Sequence, residues 1–138
     1  MVGFDVREVN LKDYEDIYKL NSKLNYSNIK SISEDNKSLM IVAQLNDDVI
    51  GYINSNFNED SNNNKTINIK DIIVDEKYRG LGVGHQLMLE VEKNAKDNRV
   101  NYIVSINKDY HKEEIEFYNR QGFKLDKDFK FVKKSYLQ

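Results

Sequence analysis

Three glycines at alternate positions, Gly80, Gly82 and Gly84, constrain the fold of this chain more than any other feature. The apolar stretch Ile67 to Val74 before them is typical of a strand, and the residues from about His85 onward repeat apolar positions at helical spacing. The glycines therefore leave the backbone bare where a strand turns into a helix. Free amide N–H groups and the positive end of the helix dipole meet at such a turn, and both favour a phosphate or pyrophosphate. The sequence predicts an anionic ligand at this loop.

Two common phosphate-binding loops do not fit this segment. A Walker A loop needs Lys and then Ser or Thr after its last glycine, whereas Gly84 is followed by His85 and Gln86. The dinucleotide fingerprint needs G-x-G-x-x-G on a first strand–helix unit, and here G-x-G-x-G stands in mid-chain without an acidic ribose partner. Hydrolysis of ATP or GTP and binding of NAD are therefore disfavoured. A tight connection without any ligand is the alternative interpretation.

Length and charge narrow the class of protein. A chain of 138 residues predicts one domain, over residues 1–138. Its 39% of hydrophobic residues, with nine tyrosines and six phenylalanines, predicts a folded core that disordered chains lack. The net charge of -2 is far from the basic balance of a phosphate-tracking protein, so no nucleic acid is expected as a partner.

The absence of cysteine excludes disulfides, thiolate metal ligands and a cysteine nucleophile. The only histidines, His85 and His111, form no cluster with acidic residues at ligand spacing, so no metal is predicted. Acidic residues interrupt every short apolar run near the N-terminus, and no apolar stretch approaches the ~20 residues of a membrane span. We therefore expect no signal peptide, no membrane partner and a cytoplasmic location.

The hydrophobic periodicity predicts a mixed α+β sheet flanked by helices. A loop with a short helix is compatible with Asn25 to Lys37, and Asn58 to Lys65 is predicted to be an exposed, mobile connection. The predicted strands are Val2 to Val9, Leu39 to Leu45, Val49 to Phe57, Thr66 to Val74, Val100 to Ile106 and one or two in Phe123 to Tyr136, and the predicted helices are Leu11 to Leu24, His85 to Asn98 and Glu113 to Arg120.

Two segments resemble the signatures of one enzyme family. Arg79 to Gly84 fits the Arg/Gln-x-x-Gly-x-Gly/Ala signature of the GNAT superfamily of acyl-CoA-dependent N-acetyltransferases. About forty residues later, Phe117 to Phe123 resembles the family's Phe-Tyr-x-x-x-Gly-Phe helix end. The resemblance spans nearly the whole chain. It implies a single-domain GNAT-like α+β fold, with a mixed, mostly antiparallel sheet of six to seven strands that splays at its central strands.

The resemblance also implies a cofactor site. Acetyl-CoA would lie between the splayed ends of the fourth and fifth strands, with its pyrophosphate on the amides of Leu81 to His85 and its pantetheine arm along Ile72 to Val74. His111 stands where the family usually has Asn, and Glu114 stands where it commonly has Ala. We expect His85 to contribute its backbone amide and to leave its side chain free to approach a phosphate. The residues expected to bind the cofactor are Ile72, Ile73, Val74, Arg79, Gly80, Leu81, Gly82, Val83, Gly84, His85, His111 and Phe117.

By the same resemblance Tyr118 is the general acid that protonates the leaving sulfur, and a tyrosine pKa of about 10 suits a proton donor at neutral pH. Its alternative interpretation is a core residue, because Ile115 shares its helix face. Asp71 is the favoured general base, and its alternative is a charge satisfied by a neighbouring strand or loop. Since side chains alternate along a strand, only one of Lys70 and Asp71 can face the substrate. Further candidates for the base are Glu34, Asp35 and Tyr26.

The expected function is transfer of an acetyl group from acetyl-CoA to a small primary amine by direct attack, with no covalent enzyme intermediate. The alternatives are a catalytically silent acyl-CoA-binding sensor or interaction module, an acetyltransferase acting on lysines or N-termini of proteins, and an unrelated nucleotide-binding protein. The segments Asn25 to Lys37 and Asn58 to Lys65 are expected to shape the acceptor pocket. Neither contains a recognisable specificity code, and the C-terminal strands offer an ordinary route to a homodimer.

Overall fold

The computed structural model describes residues 3–107 and 109–134. Its strands are β1 (Asp5–Glu8), β2 (Ser38–Leu45), β3 (Asp48–Glu59), β4 (Lys65–Val74), β5 (Tyr102–Ser105), β6 (Lys124–Leu125) and β7 (Phe131–Lys134). They form one sheet in the order β1-β2-β3-β4-β5-β7-β6. Every neighbouring pair is antiparallel except β4 and β5, which are parallel. The predicted α+β class with a mostly antiparallel sheet is confirmed.

Helices cover both faces of this sheet. They are α1 (Tyr14–Leu20), α2 (Tyr26–Glu34), α3 (Val83–Asp97) and α4 (Lys112–Arg120), with short 3-10 turns at Leu11–Asp13 and Glu76–Tyr78. On one face Leu87 and Val91 of α3 pack with Tyr118 of α4 in the larger apolar cluster. On the other face Ile17 of α1 and Ile29 of α2 pack against the sheet. No helix in the described part of the chain is long and apolar enough to span a membrane.

Asparagines start the first two helical segments. The side chain of Asn10 accepts a hydrogen bond from the N–H of Lys12, while the carboxylate of Asp13 accepts one from the N–H of Asn10. Asn25 and Asn28 exchange the same pair of bonds at the start of α2. These reciprocal bonds satisfy N–H groups that a helix start leaves without partners. They fix where the chain enters the α1–α2 region.

A β-bulge in β4 decides which way Asp71 points. Asn54 of β3 lies opposite Asp71 and Ser55 lies opposite Ile69, so Lys70 has no cross-strand partner on β3. Ile69 belongs to the apolar cluster beneath α3. Because side chains alternate along a strand, one extra residue turns Asp71 to the opposite face, toward α1.

The parallel pairing of β4 with β5 is short. Thr66 to Ile69 pair with Tyr102 to Ser105, and a backbone hydrogen bond of 3.0 Å from Ile106 to Ile69 follows. β4 then continues to Val74 while β5 has ended. The last residues of β4 therefore pair with β3 on one side and with no described strand on the other. This is the predicted splay of the central strands.

Two predicted elements differ from the structure. The helix predicted for Leu11 to Leu24 consists of a 3-10 turn and the shorter α1. The connection predicted for Asn58 to Lys65 is a tight hairpin, because β3 runs to Glu59 and β4 begins at Lys65. Asp60 closes this turn by accepting hydrogen bonds from two backbone N–H groups, at 2.8 and 2.9 Å. Apolar periodicity could not detect it, because both strand ends are exposed. Val2 and Tyr136, the outer ends of two predicted segments, lie outside the described residues.

The ion pair between Arg7 and Asp13 gives a test of what holds β1 to the first turn. The guanidinium donates two hydrogen bonds of 2.9 Å to this carboxylate, which is only 6% exposed. Asp13→Ala should lower the free energy of unfolding by about 2–3 kcal/mol, because it leaves a half-buried cation without its counter-charge, although Nε still donates to Gln44. Glu34→Ala removes an exposed carboxylate from its pair with Lys30 and should cost about 0.5 kcal/mol or less. Equal losses in chemical denaturation would contradict this account.

Candidate active site

A cleft of about 1000 Å³ opens where β4 and β5 part. The end of β4 forms one wall, the glycine-rich loop and the start of α3 form its rim, and α4 forms the opposite wall. Its lining residues are Asp71, Ile72, Ile73, Val74, Tyr78, Arg79, Gly80, Gly82, Val83, Gly84, His85, His111, Lys112, Glu113, Glu114, Glu116, Phe117, Tyr118, Arg120 and Gln121. Tyr118, Asp71 and the residues expected to bind the cofactor all line this cleft except Leu81, which is about half exposed and lies outside the lining.

The loop adopts the backbone that its glycines permit. Gly80 and Gly82 have φ values of +81° and +84°, in the left-handed region that disfavours side chains. Gly82 caps α3, and the N–H of Gln86 donates to its carbonyl at 3.0 Å. The N–H groups from Val83 to His85 therefore have no partner within the helix. They face the end of the cleft with the positive pole of the helix.

The third glycine of the loop serves a different purpose. A Cβ atom on Gly84 would lie 3.0 Å from Cε1 of Phe117, closer than ordinary contact. Gly84 thus allows α4 to approach the first turn of α3. Phe117 lines the cleft at this contact, so the size of residue 84 controls how far its ring projects.

Two polar side chains hold the rim together. Nε of Arg79 donates to the carbonyl of Val74 at 3.1 Å, which folds the loop back onto the end of β4. Nδ1 of His85 lies 2.8 Å from Oε1 of Gln121 and joins α3 to the end of α4. The side chain of His85 was expected to be free to approach a phosphate. It instead bonds to a residue 36 positions away, a contact that no local pattern indicates.

Asp71 is held by one of its two carboxylate oxygens. Oδ2 accepts hydrogen bonds from the hydroxyl of Tyr52 at 2.7 Å and from Nδ2 of Asn21 at 3.2 Å. Oδ1 is buried and has no partner among the described residues. Burial raises the pKa of Asp71, while the bonds from Tyr52 and Asn21 act in the opposite direction. A carboxylate of this kind is a strengthened proton acceptor.

Tyr118 lies on the other wall with its hydroxyl also unpartnered. The side chain is fully buried, its ring stacks on Phe131 with centroids 5.1 Å apart, and its OH has no hydrogen-bond partner in the described part of the chain. Burial raises the pKa of Tyr118 to about 12; the nearby Ser105 hydroxyl, which makes no hydrogen bond to the phenol, acts in the opposite direction, and Tyr110, Glu114 and Asp71 add to the rise. The phenol therefore keeps its proton at neutral pH.

The other candidates for a base lie elsewhere. Glu34 pairs with Lys30 at 3.3 Å, Asp35 accepts from the backbone of Lys37 at 2.9 Å, and Tyr26 packs edge-on to Tyr14. Glu34, Asp35 and Tyr26 are all outside the lining of the cleft. Of the four candidates for the base, only Asp71 lines the same cleft as Tyr118.

The start of α4 accounts for Glu114. Its Oε1 accepts a hydrogen bond of 3.1 Å from the N–H of His111, the residue that caps this helix. A carboxylate at the third helical position satisfies a free N–H group and the helix dipole. Both residues line the cleft, and Glu114 is half buried. Glu114 stands where the family commonly has Ala, and its hydrogen bond to the helix cap gives it a structural role.

Tyr52 and Asn21 carry no sequence signal that marks them as residues of the site. Tyr52 is fully buried within the apolar part of β3 and could not be distinguished there from a core residue. Asn21 follows α1, with no spacing that links it to β4. The pairing of β3 with β4 brings Tyr52 to Asp71, and the packing of α1 on the sheet brings Asn21 there; neither contact has a local signature.

The model of the acetyltransferase (GNAT) family matches residues 5–123. No curated protein sequence matches the chain.

Three similar solved structures show the same fold. One is the PaiA N-acetyltransferase of Thermoplasma acidophilum in complex with coenzyme A, at 17% identity and a TM-score of 0.80, covering 96% of this chain and 99% of that one. Glucosamine-6-phosphate N-acetyltransferase of Arabidopsis thaliana has 16% identity and a TM-score of 0.75 over 90% and 93% of the two chains. The ribosomal-protein-S18-alanine N-acetyltransferase of Escherichia coli has 12% identity and a TM-score of 0.79 over 99% and 96%.

The unpartnered hydroxyl of Tyr118 predicts an unusual effect on stability. Tyr118→Phe should leave the free energy of unfolding unchanged or raise it by about 1 kcal/mol, because it removes a buried polar group that gains no hydrogen bond. Tyr110→Phe is the matched control from the same aromatic cluster. Its hydroxyl donates to Oγ of Ser105 at 2.9 Å, so its loss should cost about 1 kcal/mol. Denaturant titration of both variants checks the prediction, which fails if Tyr118→Phe is the more destabilised.

Proposed function

This chain belongs to the GNAT acetyltransferase family, and from that premise we propose that it transfers an acetyl group from acetyl-CoA to the primary amine of a small molecule. One observation carries the proposal. The two buried side-chain polar atoms that lack partners among the described residues, Oδ1 of Asp71 and the hydroxyl of Tyr118, both belong to one cleft. A buried polar group without a partner costs free energy, so two at one place favour a functional role.

The residues of the cleft fit an acyl-CoA. The free N–H groups from Val83 to His85 and the adjacent Arg79 suit the negative charge of a pyrophosphate. The uncovered edge of β4 from Ile72 to Val74 offers backbone groups to an amide-containing arm. The similar protein from Thermoplasma acidophilum is in complex with coenzyme A, which supports the same class of ligand here. His111 and Phe117 complete the proposed cofactor wall.

The proposed reaction assigns opposite roles to the two side chains. Acetyl-CoA supplies a thioester, and the nitrogen of the neutral amine bonds to its carbonyl carbon. Oδ1 of Asp71 accepts the proton that this nitrogen loses, and Tyr118 donates its hydroxyl proton to the sulfur as the C–S bond breaks. The products are an amide and a thiol. In each turnover Asp71 gains one proton and Tyr118 loses one, so the total number of protons is unchanged. Proton exchange with water then returns both groups to their starting forms.

The acceptor is proposed to be a slender primary amine. Oδ1 of Asp71 is buried at the end of the cleft, so the reacting nitrogen must reach it without bulky substituents. Asp71 and Glu114, the two carboxylates whose charges act on Tyr118, lie near the reacting groups and favour a cationic acceptor there over an anionic one. The similar structures include an enzyme named for a sugar phosphate and one named for an alanine of a ribosomal protein, so the fold itself does not select the acceptor.

Thiol release tests this function directly. The protein should release CoA from acetyl-CoA in the presence of at least one amine of a panel of diamines, amino sugars and amino acids. Tyr118→Phe should lower kcat by about 100-fold or more, because it removes the proton donor, while calorimetry shows CoA binding unchanged. Tyr110→Phe provides the control with a hydroxyl lost from the same cluster and should retain turnover.

The alternative functions give different results in that assay. Tight CoA binding with no thiol release on any amine would support a silent acyl-CoA-binding module. Turnover only on peptides with a lysine or free N-terminus would support a protein acetyltransferase. Absence of CoA binding would contradict all three.

The contact between Gly84 and Phe117 predicts a variant that is folded but binds the cofactor poorly. Gly84→Ala should weaken CoA binding by about tenfold or more, because the new methyl group displaces the Phe117 ring into the cleft. The added Phe117→Leu substitution should restore most of the affinity. Gly3→Ala, where nothing lies within 4 Å of the new atom, is the matched control and should bind CoA normally. Calorimetric titration of the four proteins measures the effect, and normal affinity of Gly84→Ala would show that this contact does not limit the site.

A further inference from the structure

A connected hydrogen-bond network joins α1, β3 and β4 behind the cleft. Nδ2 of Asn21 donates to the hydroxyl of Tyr52 at 2.9 Å and to Oδ2 of Asp71 at 3.2 Å. The hydroxyl of Tyr52 in turn donates to the same Oδ2 at 2.7 Å. Oδ1 of Asn21 accepts from the N–H of Lys23 at 3.1 Å, which fixes the amide so that its NH₂ group faces the carboxylate.

The network makes the two oxygens of Asp71 different. Oδ2 accepts two hydrogen bonds, whereas Oδ1 accepts none and is buried at the cleft. A carboxylate that served only the fold would gain by using both oxygens. The bound oxygen thus anchors the group, and the free one is left for a ligand.

We propose that Tyr52 and Asn21 are positioning residues that hold Asp71 through Oδ2, so that Oδ1 receives the proton of the acceptor amine. This inference rests on the proposed acetyl transfer and adds two residues outside its reacting groups. Proton transfer moves one proton from the acceptor nitrogen to Oδ1 and leaves a neutral carboxylic acid that still accepts both bonds at Oδ2. The ligand that this oxygen recognises is an alkylammonium or amine.

The backbone prepares this arrangement. Tyr52 lies opposite Ile73 in the β3–β4 register, one diagonal step from Asp71, within reach of a long side chain. The bulge at Lys70 turns Asp71 to the face on which Tyr52 packs. Tyr52 is fully buried, and its burial raises its pKa far above the ordinary value, so its hydroxyl stays a donor throughout the working pH range.

Other charged and titratable groups also act on Asp71. Lys70, beside it on β4, lowers the pKa of Asp71, as do the bonds from Tyr52 and Asn21. Tyr118 and Glu114 lie across the cleft on α4. Tyr118 is neutral below about pH 12, so it adds no charge near neutrality. Removal of either donor to Oδ2 should therefore raise the pKa of Asp71, with the charges on α4 and β4 unchanged.

The test compares Tyr52→Phe and Asn21→Ala with the wild-type protein. Both variants should lower kcat at pH 7 by about tenfold, with a smaller effect on the KM for acetyl-CoA, because the base is less well held. Deprotonated Asp71 is the active form, so a raised pKa should move the acidic limb of the kcat profile to higher pH in both variants. Tyr14→Phe is the matched control: its ring packs in the same apolar cluster and its hydroxyl makes no bond to Asp71. It should leave the profile in place.

A second measurement does not require turnover. The carboxyl carbon of Asp71, followed by NMR in ¹³C-labelled free protein, should titrate at higher pH in Tyr52→Phe and Asn21→Ala than in the wild type. Thermal unfolding checks that each variant is folded. A variant that is merely destabilised would lose activity equally at all pH values and would leave the titration of the remaining folded protein unchanged, which would overturn the inference.

The outcomes separate this inference from the proposed function. If the wild type releases thiol and Asp71→Asn loses about 100-fold, while Tyr52→Phe keeps the wild-type profile and titration, the function stands and the positioning role is wrong. If Asp71→Asn retains full turnover, Asp71 is not the base and the inference is overturned although the enzyme is active. If the wild type releases no thiol with any amine, the proposed function fails and the inference fails with it.

Discussion

The early end of the β4–β5 pairing is the constraint on which the site depends. Beyond Ile69 the two strands part, because β5 ends at Ser105 while β4 continues to Val74. Backbone groups at a sheet edge must find other partners, and a strand that extended β5 would satisfy them and fill the cleft. The gap instead leaves the edge of β4 facing α4, with the glycine-rich loop at its end. The end of the strand pairing thus creates the cleft, exposes backbone groups of β4 to it, and leaves the N-terminus of α3 at its rim.

The bulge at Lys70 adds a second constraint, on direction. A regular β4 would turn Asp71 toward the same face as Ile69, into the apolar cluster beneath α3. A carboxylate there would lose the hydrogen bonds that Tyr52 and Asn21 supply. The bulge moves the charge to the side where those donors are, and it leaves Oδ1 buried at the end of the cleft. The insertion of one residue, Lys70, therefore decides both the strand register and which side chains contact the carboxylate of Asp71.

These features differ in how far sequence alone could predict them. The glycine-rich loop could be predicted, because a left-handed backbone at Gly80 and Gly82 depends on residue type at fixed positions. The order of helices and strands followed from apolar periodicity, and the tight turn after Glu59 was missed because polar strand ends carry no periodicity. The orientation of Asp71 depends on register with β3, so nothing in its own segment indicates it.

Site residues show the same division. Tyr118 could be singled out through its place in a family signature, and its burial could not be separated from a core role by helix spacing. Tyr52 could not be singled out at all, since its neighbours in β3 are equally apolar and equally buried. Its role depends on Asn21 and Asp71, which lie 31 and 19 positions away in the chain. Contacts over such separations are set by topology rather than by local pattern.

Burial at the end of the cleft acts on both reacting groups in a way that suits opposite roles. It raises the pKa of Tyr118, which keeps the phenol protonated and ready to donate. It also raises the pKa of Asp71, which strengthens the carboxylate as a proton acceptor but would, unopposed, neutralise it. The hydrogen bonds from Tyr52 and Asn21 oppose that rise and favour the charged form. In the proposed reaction, the buried carboxylate therefore requires hydrogen-bond donors, whereas the buried phenol does not. The structure has this distribution, because Tyr52 and Asn21 donate to Asp71 and the hydroxyl of Tyr118 has no partner among the described residues.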